Sequence, residues 1–198
     1  MKILKFGGTS VGSVKNLNII KDILISDKED KIVVCSAMSG VTNQLVQLVD
    51  SIRFNDSEAI TRNLHQLEKK HCDVIEELIE NEDVVNKLKD GVSSIITEMF
   101  EVSSQQYSEV VNAKIVTYGE TLLTYIFSNY LNTVNVSNVL LDAKEFMHVD
   151  AVEKPNIAKV GQRLTNAISS GTQSSIYITQ GFVCRDEQGR ISTLKRGG

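Results

Sequence analysis

Cysteine is scarce in this chain and poorly placed for cross-linking: Cys35, Cys72 and Cys184 lie far apart and form no C-x-x-C pair. That excludes a disulfide framework and fits reduced thiols, so a cytoplasmic location is expected. Histidine is as rare. His65, His71 and His148 fall in no metal-ligand spacing, and no metal site built from protein side chains is expected. No apolar run approaches the roughly 20 residues that span a bilayer. The opening Met1-Lys2-Ile3-Leu4-Lys5-Phe6 runs straight into glycines, too short for a secretory-signal core. A membrane is therefore not an expected partner. Excess positive charge is also missing: the net charge is -4, which disfavours a broad nucleic-acid groove. Repeats and low-complexity linkers are absent too. What remains is a chain of 198 residues, 41% hydrophobic and 23% charged, able to bury a core as one large domain or two small ones.

Apolar spacing divides it into alternating strands and helices. Lys2-Ile3-Leu4 reads as a strand, and a helix over about 13–25 follows, with Val14, Leu17, Ile20 and Leu24 on one face. Lys31-Ile32-Val33-Val34-Cys35 reads as a buried parallel strand. The small-residue loop 36–43 leads to a helix carrying Leu45, Leu48, Val49 and Ile52. The middle is helical. Ser57 is expected to cap a helix reaching about Glu80, with Ile60, Leu64, Leu67, Ile75 and Leu78 inward. Asp83 is expected to cap another, with Leu88, Val92, Ile95 and Met99 inward and weakened at Gly91. These two helices, about 57–104, read as a scaffold insertion. A shorter helix is expected from Lys114, a β-rich run over 134–141, and a helix opened by Pro155 with Ile157, Val160, Leu164 and Ile168 inward. Ser175 to Thr179 reads as a strand, followed by a hairpin turning at Asp186-Glu187-Gln188-Gly189. The pattern predicts an α/β fold, a parallel-rich sheet sandwiched by helices.

Ligands of such sheets bind off the carboxyl ends of strands. The first such loop is Lys5-Phe6-Gly7-Gly8-Thr9-Ser10-Val11-Gly12, a strand, glycine loop and helix in the order that suits phosphate. Lys5 precedes its glycines, so this is no Walker A loop, and Gly7, Gly8 and Gly12 do not space as a dinucleotide fingerprint. It can equally be an ordinary βα turn. Three more segments stand at comparable places: Ser36 to Asn43, Tyr118 to Thr121, and Gln180 to Gly198. Taken singly they stay open. Ser36 and Thr42 serve as well for an end-of-strand hydroxyl and a helix cap, Glu120 for a solvated glutamate, and Arg196 for a loop charge.

In combination and order, these segments resemble the catalytic domain of aspartate kinases, within the amino-acid kinase superfamily. The resemblance rests on Lys5-Phe6-Gly7-Gly8-Thr9-Ser10-Val11, on Ser36-Ala37-Met38-Ser39-Gly40-Val41-Thr42-Asn43, and on Gly119-Glu120. It rests further on Thr179-Gln180-Gly181-Phe182 and Thr193-Leu194-Lys195-Arg196-Gly197-Gly198. The motif set looks closer to stand-alone lysine-pathway enzymes than to fusions with homoserine dehydrogenase. The resemblance implies a three-layer αβα sandwich of the carbamate kinase-like kind, of which residues 1–198 would be the amino-terminal part. The rest of the kinase domain and regulatory ACT domains would then lie outside the chain. It implies ATP-dependent phosphorylation of the L-aspartate β-carboxylate, with Mg2+ bridging phosphates. Lys5 would be catalytic, and Lys5, Gly7, Gly8, Thr9 and Ser10 would hold ATP phosphates. Ser36, Thr42, Glu120, Arg196 and Gly197 would hold aspartate. A homo-oligomeric parent is expected, and a fragment prone to self-association and without turnover of its own. The alternatives are a kinase for glutamate, N-acetylglutamate or UMP, and a non-catalytic short paralogue that binds an amino acid or a partner.

Overall fold

The computed structural model describes residues 1–150 and 154–195. Its elements are β1 (Lys2–Phe6), α1 (Val14–Ile25), β2 (Lys31–Cys35), α2 (Val41–Arg53), α3 (Ser57–Leu78), α4 (Glu82–Ser103) and α5 (Glu109–Thr133). There follow β3 (Val139–Leu141), α6 (Ala143–Phe146), α7 (Ile157–Ser170), β4 (Ile176–Gln180), β5 (Val183–Arg185) and β6 (Ile191–Thr193). Four strands form one sheet in the order β1-β2-β4-β3, every pairing parallel, while β5 and β6 make a separate antiparallel hairpin. None of the described helices is long and apolar enough to cross a membrane.

Alternation along the strands sends side chains to two cores. Leu4, Phe6, Val33, Cys35 and Ile178 join the larger one, beneath α1 to α5. Ile32, Val34, Tyr177 and Leu141 face the smaller one, covered by α6, α7 and β5. Helices on both faces explain why β2 reads as an unbroken apolar run. The β1 edge stays bare on the second face, where Ile3 is 71% exposed.

Several local expectations shift. Asp56 caps α3 by accepting from the Ala59 amide, and Ser57 is the first helical residue. Asn81, not Asp83, caps α4 by accepting from the Val84 amide. In α4, Ile96 is buried with Leu88, Val92 and Met99, while Ile95 is half-buried against the same core. Helix α5 begins at Glu109, capped by Ser108, well before Lys114. It is buried on nearly every side in its second half, so it lacks the one-sided stripe that marks a surface helix. The β-rich run shrinks to β3 because α5 extends to Thr133 and Asn135 turns the chain at φ 59. Asn156 caps α7, and Ile157 is 75% exposed rather than inward. Gly91 has a packing role, since a Cβ there would run into the Tyr125 side chain of α5.

Two buried polar groups have no counterpart in the sequence reading. The Lys31 side chain is enclosed, its Nζ donating to the Asp27 and Glu29 carbonyls at 3.0 and 2.7 Å and meeting the Asp27 carboxylate at 2.6 Å. That bond, more than any other, pulls the Asp27 pKa down to about 2. His71 of α3 is fully buried, its Nδ1 donating to the Leu67 carbonyl at 2.7 Å and its Nε2 without a partner. Burial pulls its pKa down to about 4.

Candidate active site

Three loops meet at the carboxyl ends of β1, β2 and β4. The Ser36 amide donates to the Phe6 carbonyl at 3.1 Å, and the Gly181 amide to the Cys35 carbonyl at 2.8 Å. The glycine loop lies directly on the loop after β2. A Cβ at Gly8 would stand 3.1 Å from the Ala37 carbonyl oxygen, and one at Gly12 would stand 2.9 Å from Ser39 Cβ. Glycine is needed at both for that approach. Gly7 is different, with nothing within 4 Å of a Cβ, so its outer side is open. The Gly7 carbonyl accepts from the Ser10 and Val11 amides at 2.9 and 3.1 Å. Ser10 therefore keeps only its hydroxyl for a ligand, whereas the Gly8 and Thr9 amides have no partner among the described residues. Lys5, at the end of the preceding strand, is exposed, and its side chain makes no ion pair or hydrogen bond among the described residues. Unpaired amides and a free cation together suit an anion.

Glu120 is not a solvated helical glutamate. It is 3% exposed, and its Oε1 accepts from the Ala37 amide at 3.1 Å. Burial pushes its pKa up to about 7, opposed by hydrogen bonds from the Ala37 amide and the Ser36 hydroxyl. A buried carboxylate near neutrality, facing a strand-end loop, is poised to receive a cation. The preceding Gly119 makes this possible: a Cβ there would stand 2.7 Å from Ala37 Cβ.

Gln180, at the end of β4, braces this arrangement. Its Nε2 donates to Thr124 Oγ1 at 2.9 Å, Thr124 Oγ1 donates to the Glu120 carbonyl at 2.8 Å, and Gln180 Oε1 accepts from the Ala143 amide at 2.9 Å. Neither Thr124 nor the brace was found from sequence, although Thr124 falls one helical turn after Glu120. Beyond Gln180 the chain makes a tight turn, the Val183 amide donating to the Gly181 carbonyl at 2.7 Å with Phe182 at φ 66. So positive a φ is uncommon for a bulky residue. The Phe182 carbonyl then accepts from the Leu194 amide at 2.8 Å.

The structure thus brings Ser36, Ala37 and Glu120 together beside Gly8, while Lys5 stands in β1, two residues before Gly7. Thr42 is exposed in the first turn of α2 and is not its cap, which is Gly40 at φ 80. Arg196 and Gly197 lie outside the described residues. Among the described residues, no group of three or more His, Cys, Asp or Glu side chains could hold a metal ion.

Comparison with known proteins agrees with this geometry. The profile of the amino acid kinase family matches residues 1–198. The chain belongs to that family. Among curated relatives of this amino acid kinase chain, lysine-sensitive aspartokinase 3 of Escherichia coli is 29% identical across 99% of the chain and 43% of its own length. Aspartokinase 1, chloroplastic, of Arabidopsis thaliana is 26% identical across 99% of the chain and 36% of its own length. The crystal structure of E. coli aspartokinase III with lysine and aspartate superposes with a TM-score of 0.84 at 25% identity, covering the whole chain and 44% of that structure. A second E. coli structure, with aspartate and ADP, matches equally well. The aspartate kinase of Clostridium acetobutylicum shares the fold at a TM-score of 0.78. The chain therefore spans less than half the length of these relatives.

Proposed function

We propose that the protein carrying this chain is an aspartate kinase, forming 4-phospho-L-aspartate and ADP from L-aspartate and ATP. The observation that carries this reading is the buried Glu120 carboxylate, held by the Ala37 amide beside an open glycine loop. Aspartate offers an ammonium group and two carboxylates. Glu120 holds the ammonium side, the Thr42 hydroxyl and the Ser36 hydroxyl, released from Glu120 as the ammonium group arrives, donate to carboxylate oxygens, and Arg196 with Gly197 grips a carboxylate, Arg196 as a two-pronged donor.

The reaction needs no strong base. An oxygen of the β-carboxylate forms the new bond to the γ-phosphorus, and the bond from that phosphorus to the β,γ-bridging oxygen breaks, releasing ADP. Catalysis is then mainly positioning and neutralisation of phosphoryl charge. Gly7, Gly8, Thr9 and Ser10 hold phosphate oxygens, and Lys5 stabilises the transferring group. Mg2+ would enter with ATP rather than on a protein-side-chain cluster, and would supply further neutralisation of phosphate charge. The lysine branch of amino-acid synthesis, a cytoplasmic location and a homo-oligomeric assembly belong to the same proposal. So does reading residues 1–198 as the amino-terminal part of a longer kinase domain, with α3 and α4 as a helical insertion. Residues 1–198 by themselves are proposed to bind ATP feebly and to give no turnover, as relatives of more than twice the length suggest.

The test is ADP release by the full-length protein with Mg-ATP, comparing aspartate with glutamate and trapping the acyl phosphate with hydroxylamine. Aspartate-dependent release with a trapped β-hydroxamate is the expected result. Release with glutamate instead, or with neither amino acid, would overturn the assignment.

A further inference from the structure

We infer that Lys70, on helix α3, is a positioning residue for the candidate active site, holding the loop after β2 against the glycine loop. The inference rests on the aspartate kinase reading for its kinetic consequence but not for its structural one. Lys70 Nζ donates to the Ser39 carbonyl at 2.7 Å, across 31 positions of sequence. Among the described residues no carboxylate lies within ion-pair distance of it, whereas the neighbouring Lys69 is paired with Asp73 at 2.7 Å. Lys70 thus puts its charge on a single backbone oxygen, and charge-assisted hydrogen bonds are the stronger kind.

Ser39 is a second place where the two loops touch, besides Ala37 against Gly8. Its Cβ would be 2.9 Å from a Cβ at Gly12, so Ser39 occupies the space that glycine leaves in the phosphate loop. Ala37, two residues earlier, carries the amide bound to Glu120. The next residue, Gly40, stands at φ 80 and begins α2 without a side-chain cap, the turn closing instead through the Val41 amide, which donates to the Met38 carbonyl at 3.0 Å. A cleft of about 510 Å³ lined by Gly12, Met38, Gln66 and Lys70 lies between α3 and this region; Ala37 and Met38 are buried in the larger core, whereas Ser39 and Gly40 are exposed, so the Lys70 bond acts on the outer part of the loop. A second tie from the same helix lies just beyond, where Gln44 Nε2 donates to the Asn63 carbonyl at 3.3 Å. Helix α3 is therefore more than scaffold: it sets the position of Ser39, and through Ser39 the spacing between phosphate loop and amino-acid loop.

The test compares Lys70→Met, Lys70→Arg and a Lys69→Met control in the full-length protein. Hydrogen–deuterium exchange is read on peptides covering 7–12 and 36–43, and steady-state kinetics on aspartate and ATP. Lys70→Met should speed exchange in those two segments alone and raise the KM for aspartate about tenfold, as loss of one charged hydrogen bond predicts. Its kcat should fall much less. Lys70→Arg should restore both, and Lys69→Met should change neither. Unaltered exchange in both segments, or faster exchange spread over the whole chain, would overturn the inference whatever the enzyme does. Absent aspartate turnover in the unaltered protein would overturn the functional proposal instead, with exchange still deciding the tether.

Discussion

Gly119 and Ala37 approach so closely that a Cβ on the glycine would stand 2.7 Å from that of the alanine, with Leu45 Cδ1 and Val41 Cγ1 at 3.0 and 3.2 Å. All three neighbours belong to the packed larger core. Gly119→Ala should therefore destabilise the fold by about 1–3 kcal/mol and move Glu120 off the Ala37 amide. Gly7→Ala is the contrasting case, because nothing surrounds that position. Its stability should stay within about 0.5 kcal/mol of the unaltered protein, while ATP affinity falls. Chemical denaturation and ATP calorimetry on the two variants check the pair; equal stability losses would show that the two loop faces are misassigned.

Glu120 predicts a pH dependence for substrate binding. With its pKa pushed up to about 7 by burial, it is protonated in mild acid and cannot hold an ammonium group. For aspartate, kcat/KM should fall as pH drops below about 7. In Glu120→Gln that acid limb should vanish, and aspartate binding should weaken by about 2 kcal/mol or more. An acid limb that survives the substitution would assign it to another group.

Lys5→Ala should leave folding unaltered, since the Lys5 side chain is exposed and makes no ion pair or hydrogen bond among the described residues. Turnover should drop by roughly 10²–10³, the usual effect of removing one preorganised donor from a developing oxyanion. The KM for aspartate should change little. Near-normal kcat would remove Lys5 from the mechanism.

Two buried groups work against each other in the stability profile. The pKa of Glu120 is raised from 4.5 to about 7, so its contribution is full below 4.5 and is lost as pH rises towards 7. The pKa of His71 is lowered from 6.5 to about 4, so its contribution is full above 6.5 and is lost as pH falls towards 4. Each spans roughly 3 kcal/mol at most, and between these limits they largely offset. Glu120→Gln should become less stable on acidification, and His71→Leu more stable. Urea titrations at several pH values read the slopes; parallel slopes for both variants would contradict the linkage.

The larger features were legible because they depend on local pattern. The apolar run of β2, the stripe of α1 and the turn residues at 186–189 each state their conformation within a few positions. Helix starts were less so: Asp56 and Ser57 are both good caps, and only backbone geometry decides between them. Helix α5 escaped because burial on nearly every side erases periodicity. Glu120 was picked as a residue, but its burial was not readable, because that depends on Gly119 meeting Ala37 across the fold. The enclosure of Lys31, the first residue of β2, was not readable either, because it depends on the turn before it folding two carbonyls over its ammonium group.

The strand order β1-β2-β4-β3 has a consequence for biosynthesis. The strand that lies between β2 and β3, and carries Gln180 at its end, is translated after both of its neighbours. While the chain is still growing, β1, α1 and β2 can close into a unit, but β2 and β3 each present an open edge. The Gln180 brace on α5 can form only when this wedge arrives, so the amino-acid side of the site should be completed after the phosphate loop. Arrest-peptide force measurements should show a late event once residue 180 clears the ribosome, weakened in Gln180→Ala. Until then the nascent chain depends on chaperones, or on speed, to keep its half-built sheet from pairing with a neighbour's.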